Sequence, residues 1–173
     1  LKLYLKSTGA GSTLKAGEYD SPSPISPLAV LAKLEQGERR LNPLTIIESW
    51  TRWDIARAMA QVPEFKLSGE AQALELMDNV SLISDLDPKA TNLEGYLFPD
   101  TYEFPPETSG GELVEIMVKR FKAVWQPDWT EKAPRLNMTP RQIVTVASII
   151  ETEAKLASER PLVASVIYNR LQK

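Results

Sequence analysis

The chain contains no cysteine and no histidine. Without cysteine there are no disulfides, no thiol nucleophile and no thiolate metal ligand. Without histidine there is no Ser–His or Cys–His pair and no imidazole metal site. If the chain is an enzyme, Asp, Glu, Lys or Tyr must do its acid–base work. Charge of one sign is also scarce. The net charge is −3 with 25% charged residues, so no nucleic-acid footprint is expected. Long apolar runs are missing too. No stretch reaches the length that spans a bilayer, and no signal peptide is read. The absence of cysteine is compatible with a periplasmic or extracellular setting. Neither the opening LKLYLKSTG nor the closing NRLQK resembles a natural terminus, so a fragment of a longer protein is expected.

What is present suits a packed domain. The 173 residues are 43% hydrophobic, enough for one good core or two small units. Residues 1–20 carry short apolar patches between Gly9, Gly11 and Gly17, and LKAGEYD reads as a strand entered from a turn. A Ser/Pro-rich loop follows. Ser26 and Pro27 then start a helix whose face is Leu28, Leu31 and Leu34, stopped by Gly37. A strand is expected at Leu44–Glu48. Thr51 and Asp54 read as a capping box for a helix carrying Ile55, Ala58 and Met59, ended by Pro63. A third helix is expected over Ser68–Asn79 with Leu74 and Met77 inward. Residues 80–92 read as a polar linker. A further helix is expected over Glu112–Trp125, built on Leu113, Ile116, Met117, Phe121, Val124 and Trp125. Residues 126–138 read as a loop. The expected class is therefore α+β, helix-rich after residue 50 and without internal repeats.

The last stretch, Met138–Lys173, reads as two helices joined by a short polar link. Thr139 caps the first and Pro140 fits its first position. Ile143, Val146, Ala147, Ile150 and Ala154 form one apolar stripe. Glu153 falls on the flank of that stripe, Glu151 further round, and Thr152 outward. A carboxyl half-buried at a stripe's edge is favoured in its protonated form, as a general acid at neutral pH requires. The plain alternative is that Glu153 is a solvated surface group. Ser158 is expected to start the second helix, with Pro161 in its first turn, Val163, Val166 and Ile167 inward, and Asn169 and Arg170 at its end.

Between the third and fourth helices lies NLEGYLFPDTYEF, Asn92–Phe104. Aromatic faces interleaved with carboxylates suit sugar rings, which stack on apolar surface while polar groups take the hydroxyls. Equally, Tyr96, Phe98 and Tyr102 could simply plug the loop onto the core.

Taken together, EGYLFPDTY at Glu94–Tyr102, ASIIETEA at Ala147–Ala154, ASERPLVASVIYNRL at Ala157–Leu171 and LTIIESWTRWDIARAMA at Leu44–Ala60 resemble the YceG-like family of endolytic murein transglycosylases. The resemblance covers nearly the whole chain. It departs at Thr152, where the family usually has Lys between the two acids. It implies a small LysM-like unit over residues 1–43 and a helix-rich catalytic domain over 44–173, continued by segments that complete the cleft. It implies the second acid of the pair, Glu153, as the catalytic residue. Glu94, Tyr96, Asp100, Tyr102 and Asn169 are the candidate substrate-binding residues, though an Asn near a helix end, like Asn169, more often serves as a cap or surface residue. No metal and no cofactor are implied.

The implied reaction is cleavage of the MurNAc–GlcNAc bond of peptidoglycan without water, leaving a 1,6-anhydro end. Glycan strands are the implied substrate and cell-wall synthases (penicillin-binding proteins) the implied partners. The implied location is the periplasmic, extracytoplasmic face of the inner membrane, through a single-pass anchor outside this chain. A hydrolytic muramidase, with Asp100 or Glu151 as second carboxylate, and a non-catalytic glycan-binding or scaffold module are the alternatives.

Overall fold

A computed structural model describes residues 14–37 and 40–171. The patches expected over residues 1–13 lie outside the described residues. The chain divides into two compact units, one of Leu1–Pro43 with Tyr102–Thr108 and one of Leu44–Thr101 with Ser109–Lys173. The class is α+β: helices dominate, beside one two-stranded antiparallel sheet.

In the first unit, α1 spans Pro27–Gln36. Ser26 accepts a hydrogen bond from the Ala29 amide at 3.2 Å, and Gly37 closes the helix in the left-handed conformation. Leu31 is buried as expected, but Leu28 is 61% exposed. Side chains lean toward a helix's N-terminus, so a first-turn residue projects past its end. The strand expected at LKAGEYD does not form; residues 14–20 are irregular. Strand β1, Asn42–Thr45, starts two residues earlier than expected and pairs with β2, Thr101–Phe104. Two threonine hydroxyls, Thr45 and Thr101, meet at 3.0 Å beside the ladder.

The second unit is built on three packed helices: α2 (Arg52–Ala60), α3 (Glu70–Leu76) and α4 (Gly110–Val124). The Thr51–Asp54 capping box is present. Helix α3 does not begin at Ser68 as expected. Ser68 instead binds Gln72 through its amide and hydroxyl, and Gly69 takes the cap position. Helix α4 starts earlier than expected, capped by Ser109 and Glu112. The face of α4 differs as well: Leu113, Val114, Met117 and Val118 are buried while Ile116 is exposed. On a helical wheel Ile116 lies about 130° from the centre of that set, so it could not share the face. Glycine at 110 lets α4 approach closely, since a Cβ there would stand 3.0 Å from Leu76 and 3.3 Å from Met59.

Two stretches expected to be plain connections are structured. Within residues 80–92, Ile83 is fully buried and Asp87 is 7% exposed. Within 126–138 there is a short helix, α5 (Pro127–Lys132), followed by a 3₁₀ turn at Ala133–Leu136. Pro127 at the first helical position and the Asp128–Lys132 pair one turn apart, at 2.6 Å, stabilise α5. Among the described residues no helix is long and apolar enough to cross a membrane.

Candidate active site

Helix α6, Pro140–Glu153, carries both carboxylates of the ETE motif. Its start is strongly specified. Thr139 accepts from the Gln142 amide at 3.3 Å, and Gln142 accepts from the Thr139 amide at 2.8 Å. One residue on, Arg141 donates from Nε to Oδ2 of buried Asp87 at 2.7 Å. Tyr96 donates to the same oxygen at 2.8 Å. Its ring lies beneath the Arg141 guanidinium and edge-on to Phe121 at 5.2 Å.

Burial alone would raise the Asp87 carboxyl. The hydrogen bonds from Arg141 and Tyr96 outweigh it and hold Asp87 below its ordinary range. Burial first, then the hydrogen bond to Asp87 and its charge, push the Tyr96 hydroxyl up. Gly95 turns the loop beside this cluster with φ +82°, and a Cβ there would come within 3.0 Å of Val144 on α6. The aromatic loop is thus fastened to the first half of α6. At 1.5 Å rise per residue, Val144 and Glu153 are about 14 Å apart along the helix.

The second half of α6 is different. Val146 and Ala154 are buried, but Ala147, expected on the apolar stripe, is exposed. Among the described residues no element covers that point. Ala154 leaves helical geometry while its amide still donates to Ile150 at 2.9 Å, which ends the helix. A 3₁₀ turn at Ala157–Glu159 leads into α7, Arg160–Leu171. Ser158 sits in that turn, two residues before α7. Val163 and Ile167 are half-buried, but Val166, expected inward, is 44% exposed.

Glu151 pairs with Arg160 at 2.9 Å, and Thr152 points outward, its hydroxyl donating to the Ser148 carbonyl. Glu153 is exposed. The burial expected for it at the stripe's edge is absent, because the stripe there has no cover. It lines an open groove of about 440 Å³ between Ile149 of α6 and the Val163, Val166, Ile167 and Arg170 face of α7. A larger groove of about 900 Å³ adjoins it, sharing Ile149 and Ile167, and Asn169 lies there.

The other expected binding residues are elsewhere. Tyr96 is 1% exposed and belongs to the core, as the plain reading of the loop had it. Glu94 accepts from the Arg52 amide at 3.0 Å, which caps α2. Asp100 pairs with Arg120 at 3.0 Å. Tyr102 is buried in the other compact unit. The expectation that Tyr96, Asp100 or Tyr102 shares a cavity with Glu153 is not met, since that groove is lined by α6 and α7.

Asp87, Arg141 and Arg170 escaped the sequence reading as site-forming groups. For Arg141 a signal existed: a cation in a helix's first turn opposes the macrodipole, and so calls for a carboxylate partner. Asp87 and Arg170 carried none.

The YceG-like family model matches residues 1–173. An endolytic murein transglycosylase of Streptococcus pneumoniae is 31% identical over 92% of the chain, and one of Bacillus subtilis is 30% identical over 98%. A crystal structure of a yceG-like protein from Listeria monocytogenes superposes with a TM-score of 0.64 at 29% identity, covering 98% of this chain and 60% of that one. The chain spans 33% of the streptococcal relative and 50% of the Bacillus one. On the match of its whole length to the family model, the chain belongs to the YceG-like family.

Proposed function

We propose that this chain carries the acid–base residue of an endolytic peptidoglycan lytic transglycosylase, and that the residue is Glu153. The observation that carries the reading is the state of the two acids of the motif. Glu151 is held by Arg160, whereas Glu153 has no ion-pair partner among the described residues and opens into a groove. Among the described residues it is the one carboxylate lining that groove. A volume of about 440 Å³ falls within the usual range of ligand clefts.

One carboxyl is enough for a lytic transglycosylase. The protonated Glu153 donates to the glycosidic oxygen as the bond to muramyl C1 breaks. The resulting carboxylate takes the proton of the muramyl C6 hydroxyl as O6 closes on C1. The residue ends as it began, and no water is consumed. Intramolecular attack replaces the second carboxylate and positioned water of a hydrolytic glycosidase.

Asn169, in the adjoining groove, remains a glycan-binding residue in this reading, while Tyr96, Glu94 and Asp100 hold the fold. Residues 44–173 then belong to the catalytic domain and 1–43 to a LysM-like unit. The full protein works at the extracytoplasmic face of the inner membrane, anchored there, beside cell-wall synthases. The test is cleavage of uncrosslinked glycan strands by the full protein, with mass analysis of the ends. Anhydro ends are expected. Reducing ends would establish a muramidase, and an active Glu153→Gln protein would remove the assignment.

A further inference from the structure

The groove that contains Glu153 holds a second charge, on α7. Val163, Val166, Ile167 and Arg170 follow the i, i+3, i+4, i+7 spacing that sets four side chains on one helix face. That face lines the groove opposite Ile149 and Glu153. Side chains lean toward the N-terminus of their own helix, so Arg170 leans back along α7 over the groove. Neither Glu153 nor Arg170 has a hydrogen bond or ion pair among the described residues, and the two are not paired with each other.

A cation in a last helical turn is ordinary, because it complements the helix dipole. That account explains a basic residue near Leu171. It does not explain why the residue stands on the one face of α7 that lines the groove. The neighbouring basic residue Arg160, on the same helix, is engaged by Glu151 at 2.9 Å. Arg170 is left with its guanidinium available to a ligand. A planar guanidinium binds a carboxylate through two parallel hydrogen bonds, which fixes the ligand's orientation as well as its position.

We propose that Arg170 is a substrate-specificity residue that binds a carboxylate on the muramyl side of the scissile bond, carried by the peptide stem that is attached through the lactyl ether. This rests on the reading of Glu153 given above. The apolar floor of Ile149, Val163 and Ile167 takes the sugar face, Glu153 stands at the glycosidic oxygen, and Arg170 stands at the acidic substituent. An uncharged N-acetylglucosamine polymer has the same backbone and lacks that substituent, so this pairing separates the two polymers. The lactyl group occurs on muramic acid alone, so the pairing also sets which of the two alternating linkages is placed at Glu153.

The test uses the full protein and three substrates: uncrosslinked strands with free carboxylates, the same strands amidated, and strands stripped of their stems so that the lactyl carboxylate is exposed. A charge-assisted hydrogen bond in an open groove is worth about tenfold in binding. Arg170→Gln is expected to raise KM on native strands about tenfold with kcat little changed, and Arg170→Lys to recover part of the loss. On amidated strands the wild-type protein is expected to fall to the level of Arg170→Gln, and the variant to lose nothing further. Loss of the Arg170 effect on stripped strands is expected, and an undiminished effect there overturns the assignment to the stem. Binding of the same strands by Glu153→Gln protein, with and without Arg170→Gln, reads the charge dependence independently of cleavage. Equal KM for wild type and Arg170→Gln on native strands, or an equal loss on native and amidated strands, overturns the proposal. Failure of cleavage with the charge-dependent binding intact would instead overturn the reading of Glu153.

Discussion

The two halves of α6 carry ionisable groups in opposite states. In the first half, Arg141, Asp87 and Tyr96 share one oxygen at 2.7 and 2.8 Å, behind a core tyrosine. In the second half, Glu153 is exposed and unpaired among the described residues, in a groove whose other charge, Arg170, is also unpaired. A buried group that lost its partner would keep its desolvation penalty, so the first half is committed to structure. The second half holds no buried pair: Glu151 meets Arg160 at the surface, and Glu153 stands unpaired among the described residues. The helix thus has an anchored end and an open end.

The comparison is broken most severely at the open end. Glu153→Gln is expected to lower cleavage by about 10²–10⁴-fold, toward the upper figure because one group serves as both acid and base. The same change should move stability by less than about 0.5 kcal/mol, as for other exposed sites without buried partners. A thermal melt beside the cleavage assay checks both. A large loss of stability would mean that Glu153 is structural.

At the anchored end the signs reverse. Asp87→Asn is expected to cost about 1–3 kcal/mol, because it weakens charge-assisted bonds to a buried oxygen. Folding holds the Asp87 carboxyl below its ordinary value. Its ionisation therefore stabilises the fold fully above about pH 5, and that contribution is lost as the pH falls below about 4 toward the folded value. Denaturant titrations at pH 7 and pH 3 should show a wild-type advantage at the first that shrinks at the second. An advantage independent of pH would point to packing rather than charge.

The difference between the ends also explains what could be read from the chain alone. Caps are local: Ser26, Thr51 and Thr139 are used as expected because the acceptor and its amide lie three residues apart. Periodicity gives a face but not what covers it, so Ala147 and Val166 fall on the apolar faces of their helices and yet stand exposed. Asp87 and Arg141 are 54 residues apart, and no spacing rule links them. The wheel that set Glu153 on the flank of the stripe was sound in angle. It failed on burial, which depends on a neighbour that a wheel does not contain. The aromatic loop misled for a related reason: stacking on sugar and plugging a core select the same side chains.

Gly95 sharpens the anchored end with a smaller effect. Its φ of +82° is a conformation that side chains resist, at a cost of about 1–2 kcal/mol. A Cβ would also stand 3.0 Å from Val144. Gly95→Ala should therefore destabilise by about that amount, and adding Val144→Ala should relieve only the contact. Complete recovery in the double variant would show that the contact, not the backbone, sets the cost.

The smallest effect is expected at Glu151, and it is the sharpest control on the assignment. Glu151 is two residues from Glu153 on the same helix and carries the same charge. The differences are its partner, Arg160 at 2.9 Å, and its absence from the groove. Both members of that pair are about half exposed, with side-chain exposures of 45% and 49%. Exposed pairs of this kind contribute about 0–1 kcal/mol and are screened by salt. Glu151→Gln should thus lower stability by no more than that, with the difference shrinking at high salt, and should leave most cleavage in place. The pair does tie the end of α6 to the start of α7, so a modest rise in KM is compatible with a shift of the groove wall. That rise should be reproduced by Arg160→Gln, since each change opens the same pair. A Glu151→Gln protein without activity, beside an active Glu153→Gln protein, would exchange the roles of the two acids. It would also require the Arg160 pair to open during the reaction, and Arg160→Gln would then raise activity rather than lower it.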